Sequence, residues 1–417
     1  NKEHAMCQTN RRIALFFCFT LSLAVLSNVA LAQTVTVLHG FTAGEDGAYP
    51  TGLTMDRAGN LYGTTWDGGI GRGEFGVVFR LAREGSGWVL TPLHEFLGEP
   101  SDGSNPSSRV IIGPDGSLYG TTVSGGQYGE GTVYRLRPQA RACASFSCPW
   151  EETILYSFCS QLYCTDGKIP APGALVFDQA GNLYGTTVFG GSAASPTNPG
   201  DGTVFELTPS NGGWTHSVLW SFTESSQGSG PYGSVIFDNA GNLYGTTGYD
   251  GANASGTVYE LSPSASGWTE QTLASINFDR AYTYAGLVMD GQGNLFGASG
   301  CGNSEAGGVF ELSPSNGNWT FNVLHTWAPT NEGPCSTLTL DAAGNLRGTS
   351  SWTGLYNDGE VFQLTPSSGG WIYTSVSFDG SNGEDLVGSV ILDDAGNIYG
   401  TAYLSTQSAG NVWEITP

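Results

Sequence analysis

The heptapeptide Gly181-Asn182-Leu183-Tyr184-Gly185-Thr186-Thr187 has six further copies, starting at Gly59, Gly116, Gly241, Gly293, Gly344 and Gly396. Between the second glycines of successive copies (Gly63, Gly120, Gly185, Gly245, Gly297, Gly348, Gly400) the steps are 57, 65, 60, 52, 51 and 52 residues. A period near fifty that alternates β-branched and aromatic runs with Gly, Asn, Asp and Pro marks a propeller or a solenoid. With 63 glycines among 417 residues and 12% aromatic side chains, the chain is dense in turns and β-type residues, unlike a disordered or helical chain.

Each repeat divides into four short strands, A to D. In the third, Gly173 to Asp178 is A, Asn182 to Thr187 is B, Gly202 to Pro209 is C and Trp214 to Phe222 is D. A and B are apolar on both alternating faces, as a sheet covered on both sides requires. The last repeat stops after its C strand, Gly410 to Thr416, whereas Thr34 to Phe41 precedes the first A strand and follows the D pattern. The N-terminal strand is therefore expected to complete the last sheet and close a ring without open edges. An open solenoid would have no use for a split repeat. The expected fold is all-β, a seven-bladed β-propeller of four-stranded antiparallel blades, in one domain over residues 33–417.

Residues 1–32 read as a signal peptide: Arg11-Arg12, an apolar run from Ile13 to about Val25, and Ala30-Leu31-Ala32 as the cleavage site before Gln33. The run is short for a membrane span, and no second hydrophobic segment follows, so a secreted or periplasmic monomer without a transmembrane segment is expected. Removing the leader's three basic and one acidic residues leaves 11 Lys+Arg against 36 Asp+Glu, a balance of −25. That field has the wrong sign for a nucleic acid or an anionic membrane.

Six cysteines follow the leader. Cys143 and Cys148 share one C-to-D connection, Cys159 and Cys164 share the next D-to-A loop, and Cys301 and Cys335 fall in loops of successive blades on one face. The first two pairs are the economical local disulfides in an oxidising compartment, Cys301 and Cys335 are close enough in principle for a third, and six thiols around a zinc ion are the alternative.

Together, Asp-x-Ala-Gly-Asn-Leu-Tyr-Gly-Thr-Thr, Gly-Thr-Val-Phe-Glu-Leu-Thr-Pro, Gly-Gly-Trp-Thr and Leu-x-Ser-Phe resemble the GloVer tandem repeat of exported bacterial proteins, the choice-of-anchor group. The resemblance covers nearly all of residues 34 to 417. It implies a β-propeller with variable C-terminal sorting anchors and no established activity, and this chain departs from it in showing no anchor. The A-to-B segment is also similar to NHL-type propeller repeats, which supports the strand order and brings no function with it.

Propeller ligands usually sit over the central channel, on the face formed by the D-to-A and B-to-C loops. His39, His94, His216 and His325 all fall in D strands, away from that channel, and are expected to pack blade edges instead of holding a metal or serving a triad. Asp56, Asp178, Asp238, Asp290, Asp341 and Asp393 end A strands, where a carboxylate accepts the N–H groups of the next turn. A second acidic set lies in the D-to-A loops: Glu45-Asp46, Asp102, Asp166, Asp279, Glu332, Asp379 and Glu384-Asp385. On the channel face these could hold Ca²⁺ or form a pair of glycosidase carboxylates, and a solvated acidic rim is the competing reading.

Aromatic residues form the most suggestive set. Trp66, Phe189, Tyr249, Trp352 and Tyr403 lie where strand B enters its loop, and Tyr49, Tyr163, Tyr232 and Tyr284 lie near the start of strand A. Around a channel mouth they could stack on sugar faces, and otherwise they wedge between blades. Trp88, Trp150, Trp214, Trp268, Trp319 and Trp371 start D strands in register and read as structural. Arg347 stands where the other repeats have Tyr or Phe, and it could face an anionic ligand, pair with a nearby acid or reflect drift. The reading is a binding module for extracellular glycan or a cell-surface partner. Its ligand residues are drawn from Trp66, Phe189, Tyr249, Trp352, Tyr403, Arg347, Asp102, Asp166 and Asp379, with Ca²⁺ the one cofactor the loops could take. The runner-up is a polysaccharide lyase, glycoside hydrolase or lactonase using loop carboxylates, and a third reading is a structural surface protein.

Overall fold

The computed structural model describes residues 33–70, 75–98, 100–138, 150–223, 225–278, 281–300, 307–328 and 333–417. The signal segment and Cys143, Cys148, Cys301, Asp279 and Glu332 lie outside them. The described residues form seven four-stranded antiparallel sheets. The first blade runs A (Ala48–Met55), B (Leu61–Asp67), C (Val77–Glu84) and D (Gly87–Glu95), and the next five repeat that order. The seventh takes Ile391–Leu392, Ile398–Ala402 and Asn411–Thr416 as A to C and Thr34–Gly40 as its D strand, in antiparallel register from Thr34 opposite Thr416 to Gly40 opposite Asn411. The split repeat thus closes the propeller as expected. Among the described residues there is no α-helix, and no helix is long and apolar enough to cross a membrane.

The heptapeptide explains why blades stack. Its Leu and Tyr are neighbours on a strand and point to opposite faces. Leu61 packs toward the seventh blade, joining Phe79 and Leu81 of its own sheet and Tyr399 and Val412 of the neighbour. The same Leu-to-Tyr contact builds five of the seven seams, Phe296 replaces the Tyr at a sixth, and Ile398 with Arg347 breaks the pattern between the sixth and seventh blades, so the core lies between blades. Between them sits a glycine under the C-strand ring. A Cβ on Gly185 would lie 2.6 Å from Phe205 Cζ, and one on Gly400 would lie 2.2 Å from Trp413. At four blades the first threonine then ties the blade to the next: Thr64 Oγ1 donates to Ser108 O at 2.9 Å, Thr186 Oγ1 to Gly233 O at 3.1 Å, Thr246 Oγ1 to Ala285 O at 2.6 Å and Thr349 Oγ1 to Gly388 O at 2.9 Å.

The A-strand aspartates lock the A-to-B turn. Asp178 accepts from Ala180 N, Asn182 N and Asn182 Nδ2 at 2.8 Å and from the Tyr184 hydroxyl at 3.1 Å. Burial opposes ionisation of the equivalent Asp56, but its donors from Asn60, Ala58 and Tyr62 outweigh it and hold the carboxyl below the usual range. On the outer strands the six in-register tryptophans pack at the seams, Trp88 edge-on to Tyr399 and Trp214 to Tyr119.

Candidate ligand-binding channel

Seven A strands line a cavity of 810 Å³ on the propeller axis, and a chamber of 200 Å³ continues it toward the D-to-A and B-to-C loops. In each A strand one residue precedes the buried apolar anchor (Leu53, Val110, Leu175, Val235, Leu287, Leu338, Val390). In blade order it is Gly52, Arg109, Ala174, Ser234, Gly286, Thr337 and Ser389. Six are small, and the second is an arginine. Arg109 lines both cavity and chamber, and no other Lys, Arg, Asp, Glu or His among the described residues lines either. Arg109 is exposed to the channel, and the protein crowded around it still holds its pKa below the usual value. Toward the A-to-B turns the wall becomes apolar, with Met55, Phe237, Met289, Leu340 and Leu392.

The mouth has a zipped rim. The last residues of D-to-A loops pair with the ends of B strands: Ala48 with Asp67, Gly103 with Gly125, Lys168 with Phe189, Ser229 with Tyr249 and Glu384 with Leu404. This pairing brings the two aromatic sets together at some blades. Tyr232, Tyr249, Tyr282 and Tyr284 form one cluster, with Tyr232 and Tyr284 rings 4.2 Å apart and the Tyr249 hydroxyl 2.6 Å from that of Tyr284 and 3.2 Å from that of Tyr232. Burial first, then hydrogen bonds to Tyr249, raise the pKa of both Tyr232 and Tyr284, so these two hydroxyls stay protonated. Tyr284 is its member on the chamber wall. Tyr49 and Tyr403 stack at 4.9 Å where the seventh blade meets the first. Trp66 and Phe189 are half-buried, whereas Trp352 is 42% exposed beside Leu355 at 78% and Tyr356 at 58%.

Exposed large apolar side chains on loops occupy this face alone among the described residues: Ile70, Leu97, Tyr128, Leu162, Tyr163, Trp352, Leu355 and Tyr356. The others, Val37, Val89, Val218, Val323 and Ile372, lie on D strands.

The D-to-A carboxylates turn back into their own loops. Asp166 is fully buried and accepts from the Tyr156 hydroxyl at 2.6 Å, Ser160 N and Oγ at 2.8 Å and Gln161 N at 3.2 Å. Asp102, also buried, accepts from Leu97 N and Gly103 N, and Asp46 from Thr42 N and Thr42 Oγ1 while lying 3.0 Å from His39 Nε2. Asp379 is exposed and accepts from Ser381 and Asn382 N–H groups. Two carboxylates on this face differ: burial raises the Asp385 carboxyl against a hydrogen bond from Ser351, and burial and then the neighbouring Asp250 charge raise that of Asp201.

Arg347 donates to Asp341 Oδ2 at 2.7 Å, the bond that the tyrosine hydroxyl makes in other repeats. It faces the N-terminal D strand, where Gln33 stands eight residues before Phe41, the spacing at which Trp88 precedes Phe96. Gln33 and Arg347 line one small cavity, so the break in the repeat follows from the missing tryptophan across the seam.

Two histidines pack edges as expected. His216 stacks on Tyr156 at 4.1 Å, and burial, opposed by the Asp166 charge, lowers its pKa to about 4. His325 stacks on Tyr373 at 4.2 Å. His94 departs from that expectation by meeting two carboxylates. Ligand atoms of His94, Asp102 and Glu152 lie within 4.8 Å of one another. Burial and the adjacent Asp102 push the Glu152 carboxyl well above the usual range, so a proton or a divalent cation is favoured between them. The sequence places His94 on a D strand and Asp102 in a D-to-A loop but does not single out Glu152, because periodicity cannot set D strands of successive blades against one loop. Arg109 was legible in principle, since aligning the A strands shows one charge among small residues.

Cys159 and Cys164 form a disulfide across the loop carrying Leu162 and Tyr163, as expected, and Cys335 is disulfide-bonded as well.

A family profile described as the Gloeobacter/Verrucomicrobia repeat matches residues 24–152 and 145–339. No curated protein matches the sequence. Among solved structures, the extracellular domain of a B. thetaiotaomicron protein described as a one-component system is 11% identical with a TM-score of 0.54, covering 91% of this chain, which spans 40% of that one. An ulvan-degrading polysaccharide lyase is 13% identical with a TM-score of 0.56, covering 92% of this chain and 96% of its own. A xyloglucanase from Xanthomonas campestris has the same identity and TM-score, covering 92% of this chain and 53% of its own. At such identities the likeness establishes the propeller fold alone.

Proposed function

This chain belongs to the Gloeobacter/Verrucomicrobia repeat family, and we propose that its propeller is an exported binding module that holds extracellular glycan at the mouth of the central channel. The observation that carries this reading is the tyrosine cluster on the chamber wall, Tyr232, Tyr249 and Tyr284, on the same face as exposed Trp352 and Tyr356. Rings with hydroxyls at their edges match a sugar's apolar face and polar rim. Similarity to an extracellular domain, a polysaccharide lyase and a xyloglucanase is in keeping with that chemistry. Catalysis would need an acid and a base at the mouth. Asp46, Asp102 and Asp166 instead satisfy loop N–H groups.

A glycan array probed with residues 33–417, with and without Ca²⁺ and with product analysis of each hit, tests the reading. Binding without turnover, weakened about tenfold by Tyr284→Ala and by Trp352→Ala, is expected. Turnover would make the protein an enzyme, and an array without hits would overturn the glycan assignment.

A further inference from the structure

The geometry points to Arg109 as the anchor of an anion site inside the channel, and we propose that it takes the carboxylate or sulfate group of an acidic sugar entering from the D-to-A and B-to-C face. The sugar as carrier rests on the glycan reading above, whereas the anion site stands on the channel itself. The six equivalent positions hold Gly, Ala, Ser or Thr, so the repeat asks for nothing larger and the ring leaves open space around one guanidinium. Arg83, Arg137 and Arg347 each face a carboxylate, at 3.7, 3.9 and 2.7 Å. Arg109 has neither ion pair nor hydrogen bond among the described residues, and no acidic side chain among them lines the cavity or the chamber.

Arg109 is exposed to that open space, and among the described residues the channel wall gives its guanidinium no acceptor, so an entering anion would supply its partner. Its planar fork of N–H donors matches the two oxygens of a carboxylate or sulfate. Ser107 Oγ, also on the chamber wall, is buried and has no partner, and Ser234 and Ser389 add hydroxyls at the level of Arg109. The protein around the channel lowers the pKa of Arg109, and a bound anion would oppose that shift. With a balance of −25 after the leader, the protein repels anions at long range. A site for one must therefore be local.

Calorimetric titration of the protein with glucuronate, glucose and inorganic sulfate tests the site, alongside Arg109→Ser and Arg109→Lys. Arg109→Ser installs a residue that the repeat itself uses there, so its melting temperature should match the parent and loss of binding cannot be ascribed to unfolding. Glucuronate should bind at least about tenfold more tightly than glucose, lose about tenfold or more in Arg109→Ser, and lose less in Arg109→Lys, which keeps the charge and loses the fork. Sulfate binding that depends on Arg109 without glucuronate binding would assign the sulfate ester as the ligand group. Equal anion binding by parent and Arg109→Ser overturns the proposal, as does an absence of binding by both anions up to about 10 mM. Oligosaccharide binding at the mouth that ignores Arg109 would sink the anion site and leave the glycan reading. Arg109-dependent anion binding without any oligosaccharide hit would do the reverse.

Discussion

Substituting Gly185 by alanine tests the seam directly. Gly185 has an ordinary strand conformation, so no left-handed strain enters, and the effect is steric. The added Cβ would sit 2.6 Å from Phe205 Cζ and 2.9 Å from Leu175 Cδ2, where carbon contacts are optimal at about 3.5–4.0 Å. The ring must retreat by roughly 1 Å, yet Phe205 is fully buried between the second and third blades, against Leu175, Leu183 and Leu207. Overpacking of this kind costs about 1–3 kcal/mol. Gly213→Ala is the control, because nothing lies within 4 Å of its Cβ. Guanidinium unfolding followed by tryptophan fluorescence should show a lower midpoint for Gly185→Ala and an unchanged one for Gly213→Ala. Phe205→Leu destabilises alone, but combined with Gly185→Ala it should cost at least about 1 kcal/mol less than the sum. A wild-type midpoint for Gly185→Ala, or additivity of the pair, would refute the account of why this glycine recurs.

Burial holds His216 at a pKa of about 4 against an opposing Asp166 charge. The fold refuses a proton that the unfolded chain accepts near 6.5, so stability is full above that pH and falls toward pH 4 by up to about 3 kcal/mol. Melting temperature against pH should therefore flatten over that window in His216→Phe, and parallel curves would contradict the assignment. Glu152 is raised by burial and then by Asp102, so its contribution is present below the unfolded carboxyl pKa and lost as pH rises. Glu152→Gln should then stabilise the protein at neutral pH by about 1–3 kcal/mol in chelator, unless a divalent cation normally bridges the pair, in which case chelator lowers the parent's melting temperature. Restoring the aromatic pair with Gln33→Trp and Arg347→Tyr should give a double variant about 0.5–1.5 kcal/mol more stable than the two single changes together imply. Additive denaturation midpoints would deny that these positions are coupled.

Blade number, strand order and ring closure were legible because each rests on local periodicity. The seven copies of Gly-x-Leu/Ile-Tyr/Phe-Gly, with Arg347 as the single aromatic break, fix alternation and turn chemistry within about fifty residues, and the unmatched D strand before Ala48 names its own partner. The local Cys159–Cys164 bridge and the Asp178-type turns belong to the same class, with partners at most a few residues apart. Direction and depth were not legible. Whether Asp102 faces the channel or folds back on Leu97, and whether Tyr249 meets Tyr284 or a neighbouring blade, depends on contacts between segments that periodicity does not relate. The sequence alone determined the propeller and its register, since every repeat carries the pattern. Only the tertiary structure decided that Asp46, Asp102 and Asp166 are satisfied within their own loops and that Arg109 is the one charged side chain among the described residues lining the channel, because the surroundings of each come from segments brought together by ring closure.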